Sequence, residues 1–156
     1  MDLLPDFSDL LAEFARSGVD AVIVGGYAVA VHGHPRSTKD LDVVLRGTDD
    51  NLARAADALA RFGAPRSVVE ATRTMGVRDV VWLGQPPARI DLLRTIDGVD
   101  EATLFARAIE TDLSGMRARV ISLDDLIANK RAAGRPQDLA DADRLERVRA
   151  LGRGVE

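Results

Sequence analysis

The sequence predicts an α+β fold, with a mixed sheet of about four or five strands and helices packed against one of its faces. Three observations predict it. Apolar residues recur at helical spacing in several separate stretches, short runs rich in Val, Ile and Leu lie between them, and Gly or Pro marks most of the changes from one to the other. At 156 residues, 46% of them hydrophobic and 29% charged, the chain is expected to form a single domain over 1–156. A chain of this size buries roughly two thirds of the surface that its unfolded form exposes. Collagen-like, coiled-coil and disordered organisations do not fit this composition.

Phe7, Leu10, Leu11 and Phe14 recur at helical spacing, and Gly18 follows as a stop, which gives a first amphipathic helix. The run Val19-Asp20-Ala21-Val22-Ile23-Val24 then reads as a buried strand that leads into a tight turn at Gly25-Gly26. Tyr27 to His32 is small and apolar enough for a short helix. Gly33, Pro35 and Ser37 mark a loop, and Asp40-Leu41-Asp42-Val43-Val44-Leu45 reads as a second strand. From Asn51 to Phe62, Leu52, Ala55, Ala56 and Leu59 share one helical face, with Asp49 or Asp50 able to cap the start and Gly63 to end it.

Farther on, Val80-Val81-Trp82-Leu83 and Arg89-Ile90-Asp91-Leu92-Leu93 are strand-like runs joined by Gly84-Gln85-Pro86-Pro87, so an antiparallel pair is expected. Ala118-Arg119-Val120-Ile121 offers one more strand. Ser122, with Asp125 three residues on, opens a helix, and Gly134-Arg135-Pro136 divides it from a last one. These C-terminal helices, from about residue 122, are expected to close an open cleft over the sheet.

Composition narrows the chemistry. With no Cys there is no disulfide, thiol nucleophile or thiolate metal site, and with two His an imidazole-rich zinc site is not expected, so any metal belongs on carboxylates. A net charge of -4 gives no global field toward nucleic acid or an anionic membrane. No run approaches the ~18 apolar residues of a membrane span, and the first residues lack the basic, apolar pattern of a signal peptide, so a cytoplasmic location is expected.

Asp40 and Asp42, two apart on a strand, would point to one face, about 6.6 Å apart along it at the usual rise. An isolated Asp-x-Asp pair is usually solvated, and its context decides. Gly25-Gly26, between a strand and a short helix, lets backbone N–H groups approach an anion. Asp91 alternates with Ile90 and Leu92, so it faces away from the core and joins Asp40 and Asp42 if the strands are neighbours. Such a trio suits phosphoryl or nucleotidyl transfer with two divalent ions about 4 Å apart.

The run from Val22 to Val43, an apolar strand, Gly-Gly, a short helix and an acidic-x-acidic strand, resembles the core signature of the DNA polymerase β-type nucleotidyltransferase superfamily. Its Arg36-Ser37-Thr38-Lys39-Asp40-Leu41-Asp42 is most similar to the small bacterial branch that includes the AbiEii-type toxin transferases and the aminoglycoside and lincosamide nucleotidyltransferases. Leu123 to Asp141 is similar to the closing helices of that branch. The resemblance implies the polymerase β-type nucleotidyltransferase fold, with Gly25 and Gly26 on the triphosphate, Asp40 and Asp42 holding both metals, and Asp91 activating the incoming hydroxyl as the third carboxylate and metal ligand. It also implies that Lys130 reaches the nucleotide phosphates. Arg36 and Thr38, just before the metal strand, are phosphate contacts or solvated loop residues, and Lys39 is more readily the latter.

The activity so implied is a metal-dependent transfer of a nucleoside monophosphate from a nucleoside triphosphate such as ATP to a hydroxyl acceptor, with release of pyrophosphate. Two Mg2+ ions are the implied cofactors. The acceptor is a small molecule such as an antibiotic, a tRNA 3' end or a protein side chain, and a toxin version implies a cognate antitoxin. Two alternatives stand beside it: a non-catalytic nucleotide- or protein-binding module on a degenerate fold, and hydrolysis of phosphoesters by the same ions. His32 and His34 read as loop features, Tyr27 and Trp82 as packing residues ahead of a base-stacking ring and a pocket wall respectively, and Asp138 and Asp141 as capping or solvated residues. The Arg-rich stretch from Arg144 to Arg153 reads as an exposed helix face.

Overall fold

The computed structural model describes residues 3–33 and 40–152. In chain order it holds α1 (Pro5–Arg16), β1 (Ala21–Val24), α2 (Gly25–Val31), β2 (Leu41–Leu45), α3 (Asp49–Phe62), α4 (Arg66–Arg73), β3 (Val81–Leu83), β4 (Ile90–Leu93), α5 (Glu101–Arg107), β5 (Ile109–Leu113), β6 (Met116–Val120), α6 (Leu123–Ala133) and α7 (Pro136–Ala150). The α+β expectation holds, with six strands where four or five were expected. The sixth is β5, whose residues Ile109, Thr111 and Leu113 alternate with Glu110 and Asp112 ahead of a two-residue turn. In that turn Ser114 and Gly115 both take positive φ, 53° and 79°, the conformation that matches the twist of an antiparallel hairpin.

The sheet runs in the order β3-β4-β2-β1-β6-β5. β1 and β2 are antiparallel, as are β3 and β4, while β2 pairs with β4, and β1 with β6, in parallel. The two central strands are nearly wholly apolar, as strands covered on both faces are. On the face that carries Val43, α1 packs with Leu11 and Phe14 toward Ile23 and Val43 around a cavity of about 170 Å³, and α3 packs against α1. Phe7 of α1 meets Tyr27 of α2 edge to face, with ring centroids 5.7 Å apart, so Tyr27 is a packing residue as expected.

Caps and buried polar residues set the junctions. Thr48, rather than Asp49 or Asp50, caps α3 by accepting from the Asn51 amide. The Asn51 side chain is 1% exposed; it accepts from Asp20 N at 2.7 Å and donates to Asp20 O and Arg46 O, joining the start of α3 to both central strands. Ser122 caps α6 at the Asp125 amide, as its position predicted. His32 is not a loop feature. It is fully buried, and its Nε2 donates to Ile121 O at 2.7 Å, which ties the end of α2 to the exit of β6. The helices α4 and α5 were not anticipated; the second starts where the Asp100 side chain accepts from Thr103 N. Among the described residues no helix is long and apolar enough to cross a membrane.

Candidate active site

The site follows from strand register. Reading across the sheet, Val24 is opposite Asp42, Asp42 is opposite Asp91, and Asp91 is opposite Trp82. Opposite residues on paired strands point to the same face, so one row of side chains crosses four strands with two carboxylates at its centre. Neighbours on each side point into the core: Leu41, Val43, Ile90 and Leu92 are all buried, which fixes the register because a one-residue slip would turn the acids inward.

Next to this row the chain turns from β1 into α2 at Gly25, whose φ is +70°. A Cβ at Gly25 would run into the Asp42 carboxylate, so glycine is needed here both for its backbone angle and for the space. The Gly-Gly pair is thus the first turn of the helix itself, and Val24 gives that helix no side-chain cap.

Asp42 is the electrostatic centre of the row. Burial, then the charges of Asp91 and Asp40 and the hydrogen bond shared with Asp91, push its carboxyl up to about 7, against a smaller opposing pull from Lys130. Asp91 is held from the other side by Arg89, whose Nε donates to Asp91 Oδ1 at 2.8 Å. That hydrogen bond and the charge of Asp91 raise the already high pKa of Arg89 further. Asp40 lies just before β2 rather than on it, yet close enough to act on Asp42 by charge. Among the described residues no group of three or more His, Asp or Glu is arranged as a ready-made cluster of metal ligands.

Helix α6 forms the opposite wall. Gly25, Asp42, Asp91, Asn129, Lys130 and Arg135 line a cleft of about 430 Å³. Lys130 is 7% exposed, with its ammonium between Asp138, at 3.5 Å, and Asp141, at 3.2 Å. Asp138 and Asp141 are therefore not capping or solvated residues alone: both are buried partners of Lys130, although Asp138 does also cap α7 at the Arg135 amide. Burial pushes Asp138 up, and the Arg135 hydrogen bonds with the Lys130 and Arg135 charges outweigh it, leaving the carboxyl below its ordinary value.

The structure thus brings together Gly25, Gly26, Asp40, Asp42, Asp91 and Lys130 of the residues singled out from sequence. Arg36 and Thr38, with Lys39 and His34, lie outside the described residues. Sequence reasoning missed Asn129 and Arg135 at the cleft, and it took Trp82 for a packing residue, whereas the indole is 55% exposed. The partners of Lys130 had a signal: Asp138, Asp141 and Leu145 fall at i, i+3 and i+7, on the one face of the last helix that is buried.

No curated protein matches the chain. Solved structures share its fold across nearly the whole length. A lincosamide antibiotic adenylyltransferase, LnuA, in a lincomycin-bound crystal structure, superposes with a TM-score of 0.63 at 14% identity, over 94% of this chain and 98% of that one. A candidate nucleotidyltransferase from Thermotoga maritima gives 0.59 at 15%, over 93% and 89%. The complex of ANT(2'')-Ia with adenylyl-2''-tobramycin gives 0.55 at 17%, over 93% of both chains. The family model described as a nucleotidyl transferase of unknown function, DUF2204, matches residues 4–154. With that match over almost all of its length, the chain belongs to this nucleotidyl transferase family.

Proposed function

We propose that the protein transfers a nucleoside monophosphate from a magnesium-bound nucleoside triphosphate to a hydroxyl acceptor. The observation that carries this reading is the pair Asp42 and Asp91, opposed in register, with Gly25 leaving room beside Asp42. The residues fit a hard divalent cation. Two carboxyls within hydrogen-bonding reach, one of them pushed up to about 7 by burial and by its acidic neighbours, form a site that a cation relieves. Asp40 supplies a third negative charge near it. Bound there, magnesium would neutralise these carboxylates and polarise the phosphate that is attacked.

The chain's own residues divide the remaining work. Backbone N–H groups at Gly25 and Gly26, in the unpaired first turn of α2, donate to the triphosphate. Lys130, lining the cleft opposite them, offsets phosphate charge while Asp138 and Asp141 hold it in place. Asp91 accepts the hydrogen bond of the acceptor hydroxyl and draws off its proton. The acceptor oxygen then forms a bond to the α-phosphorus, the bond from that phosphorus to the bridging oxygen breaks, and pyrophosphate leaves with the electron pair.

The test is a thermal shift with each of the four ribonucleoside triphosphates, with and without magnesium, on the wild type and on Asp42→Asn. Stabilisation that needs both ligands and vanishes in the variant supports the reading and gives the base preference. Absence of any shift with all four triphosphates sinks it.

A further inference from the structure

The exposed apolar side chains of this protein are concentrated in one place. Among the described residues the large exposed hydrophobics are Val77, Val80, Trp82, Leu139 and Leu151, and the first three fall within six positions around β3. Val80 and Trp82 are 52% and 55% exposed and two residues apart, so they share a face of this edge strand, while Val81 and Leu83 between and beyond them are buried. That face is the catalytic one: Trp82 is the register partner of Asp91, about 5 Å away across the strand pair, and Val80 lines the cleft.

An exposed indole on a sheet edge invites aggregation and gains nothing from burial, so its retention needs an account. Arg89 supplies part of it. Its guanidinium carbon lies 5.0 Å from the centre of the indole ring while Nε is committed to Asp91, which leaves the terminal NH2 groups without an acceptor among the described residues. Trp82 also borders a second cavity of about 460 Å³, with Pro65, Ser67 and Val68 on its far wall. An apolar ring face, hydrogen-bond donors and a carboxylate therefore meet within one strand spacing.

We infer that Trp82, Val80 and Arg89 form the acceptor subsite, and that it takes an alcohol whose reacting hydroxyl is borne on or beside a ring with an apolar face. This rests on the nucleotidyl-transfer reading. Gly25 and Lys130 draw the anionic donor toward one end of the register row, so the shelf at its other end is left to the acceptor. The ring stacks on the indole, the hydroxyl meets Asp91, and the spare Arg89 donors take a neighbouring oxygen. Trp82 and Val80 are positioning residues for the acceptor.

Trp82 is the sole tryptophan, so its emission reports the shelf directly. With magnesium and a non-hydrolysable triphosphate bound, as checked by thermal shift, the protein is titrated with methyl β-D-glucopyranoside and 2-phenylethanol as ring-bearing alcohols and with glycerol as a ring-free one. The ring alcohols are expected to change Trp82 emission and to shield it from acrylamide at least twofold, with glycerol inert at equal molarity. Trp82→Ala raises the KM for a ring alcohol about tenfold and Trp82→Phe restores much of it, while the magnesium-nucleotide thermal shift persists in both. Glycerol acting as strongly as the ring alcohols overturns the inference, and so does emission that neither ring alcohol moves. Emission that follows protein concentration instead identifies a self-association edge and overturns it as well. A protein that shows no magnesium-nucleotide shift fails at the donor reading itself, which removes the subsite with it.

Discussion

Asp42 is held in a setting that opposes its own charge, and this has consequences for stability. Its carboxyl is raised to about 7, whereas an unfolded-state Asp titrates near 3.8, so the folded form is favoured most below the lower value. That advantage is lost as pH climbs from about 4 through 7, because above 7 the folded protein must carry a buried, repelled charge. Asp42→Asn removes the burden. The variant is expected to be more stable than wild type by about 1–3 kcal/mol in urea titrations at pH 8, and to lose that margin at pH 4, while transferase activity falls at least a hundredfold. A margin over wild type that is the same at both pH values would mean that Asp42 is not repelled in the folded state. Gly25→Ala works through shape instead: with φ at +70° and the Asp42 carboxylate in the path of a Cβ, it should cost about 1–3 kcal/mol and abolish the magnesium-nucleotide thermal shift. Both positions were legible in the sequence, because two-residue periodicity places an acid on a strand face and a Gly-Gly pair after a β-branched run marks a tight change of direction. The exposure of Trp82 was not legible. A short apolar run reads alike on a central strand and on an edge, and only the order of strands tells them apart.

At the scale of elements, the clasp between α6 and α7 depends on one cation and two acids. Lys130 reaches from α6 to Asp138 and Asp141 on α7, all three nearly inaccessible to water. Taking away one partner leaves the others buried and under-compensated, so Asp141→Ala should destabilise the fold by about 2–4 kcal/mol by urea unfolding. Combined with Lys130→Met it should cost less than the sum of the two single changes, as groups that act on each other do. Asp138 gives the clasp an acid limit. Its carboxyl is depressed by Arg135 and Lys130, so its contribution is present above about pH 4 and lost as pH falls through the lowered value, a loss visible as a steeper acid melt than in Asp138→Asn. The helices α1, α3, α6 and α7 were readable from periodicity and stops. The short α2 was readable from its small apolar run, whereas α4 and α5, missed, bury only two residues each and so leave no apolar face to recognise by spacing.

For the whole molecule, the sheet order β3-β4-β2-β1-β6-β5 sets Asp91 beside Asp42, although forty-eight residues separate them in sequence. Local pattern cannot reveal such a pairing; the parallel register of β2 with β4 makes it. Because the acids repel and the donor is anionic, magnesium and triphosphate should stabilise the fold together and only weakly apart. At a hundredfold excess over Kd the gain is about 2.7 kcal/mol, or roughly 5–10 °C in Tm for a chain of this size, measurable by scanning calorimetry.

The hairpin from Val81 to Leu93 has one more implication, for how such an enzyme changes its work. Its two strands carry Trp82 and Asp91 on a continuous stretch of thirteen residues, while Gly25 and Asp42 belong to a different stretch on the other side of the pairing. The hairpin is a cassette. If Trp82 and Asp91 serve the acceptor and Gly25 and Asp42 the nucleotide, as proposed, exchanging the hairpin as a unit with its register kept would bring a new shelf next to an unaltered nucleotide seat and let partner choice diversify.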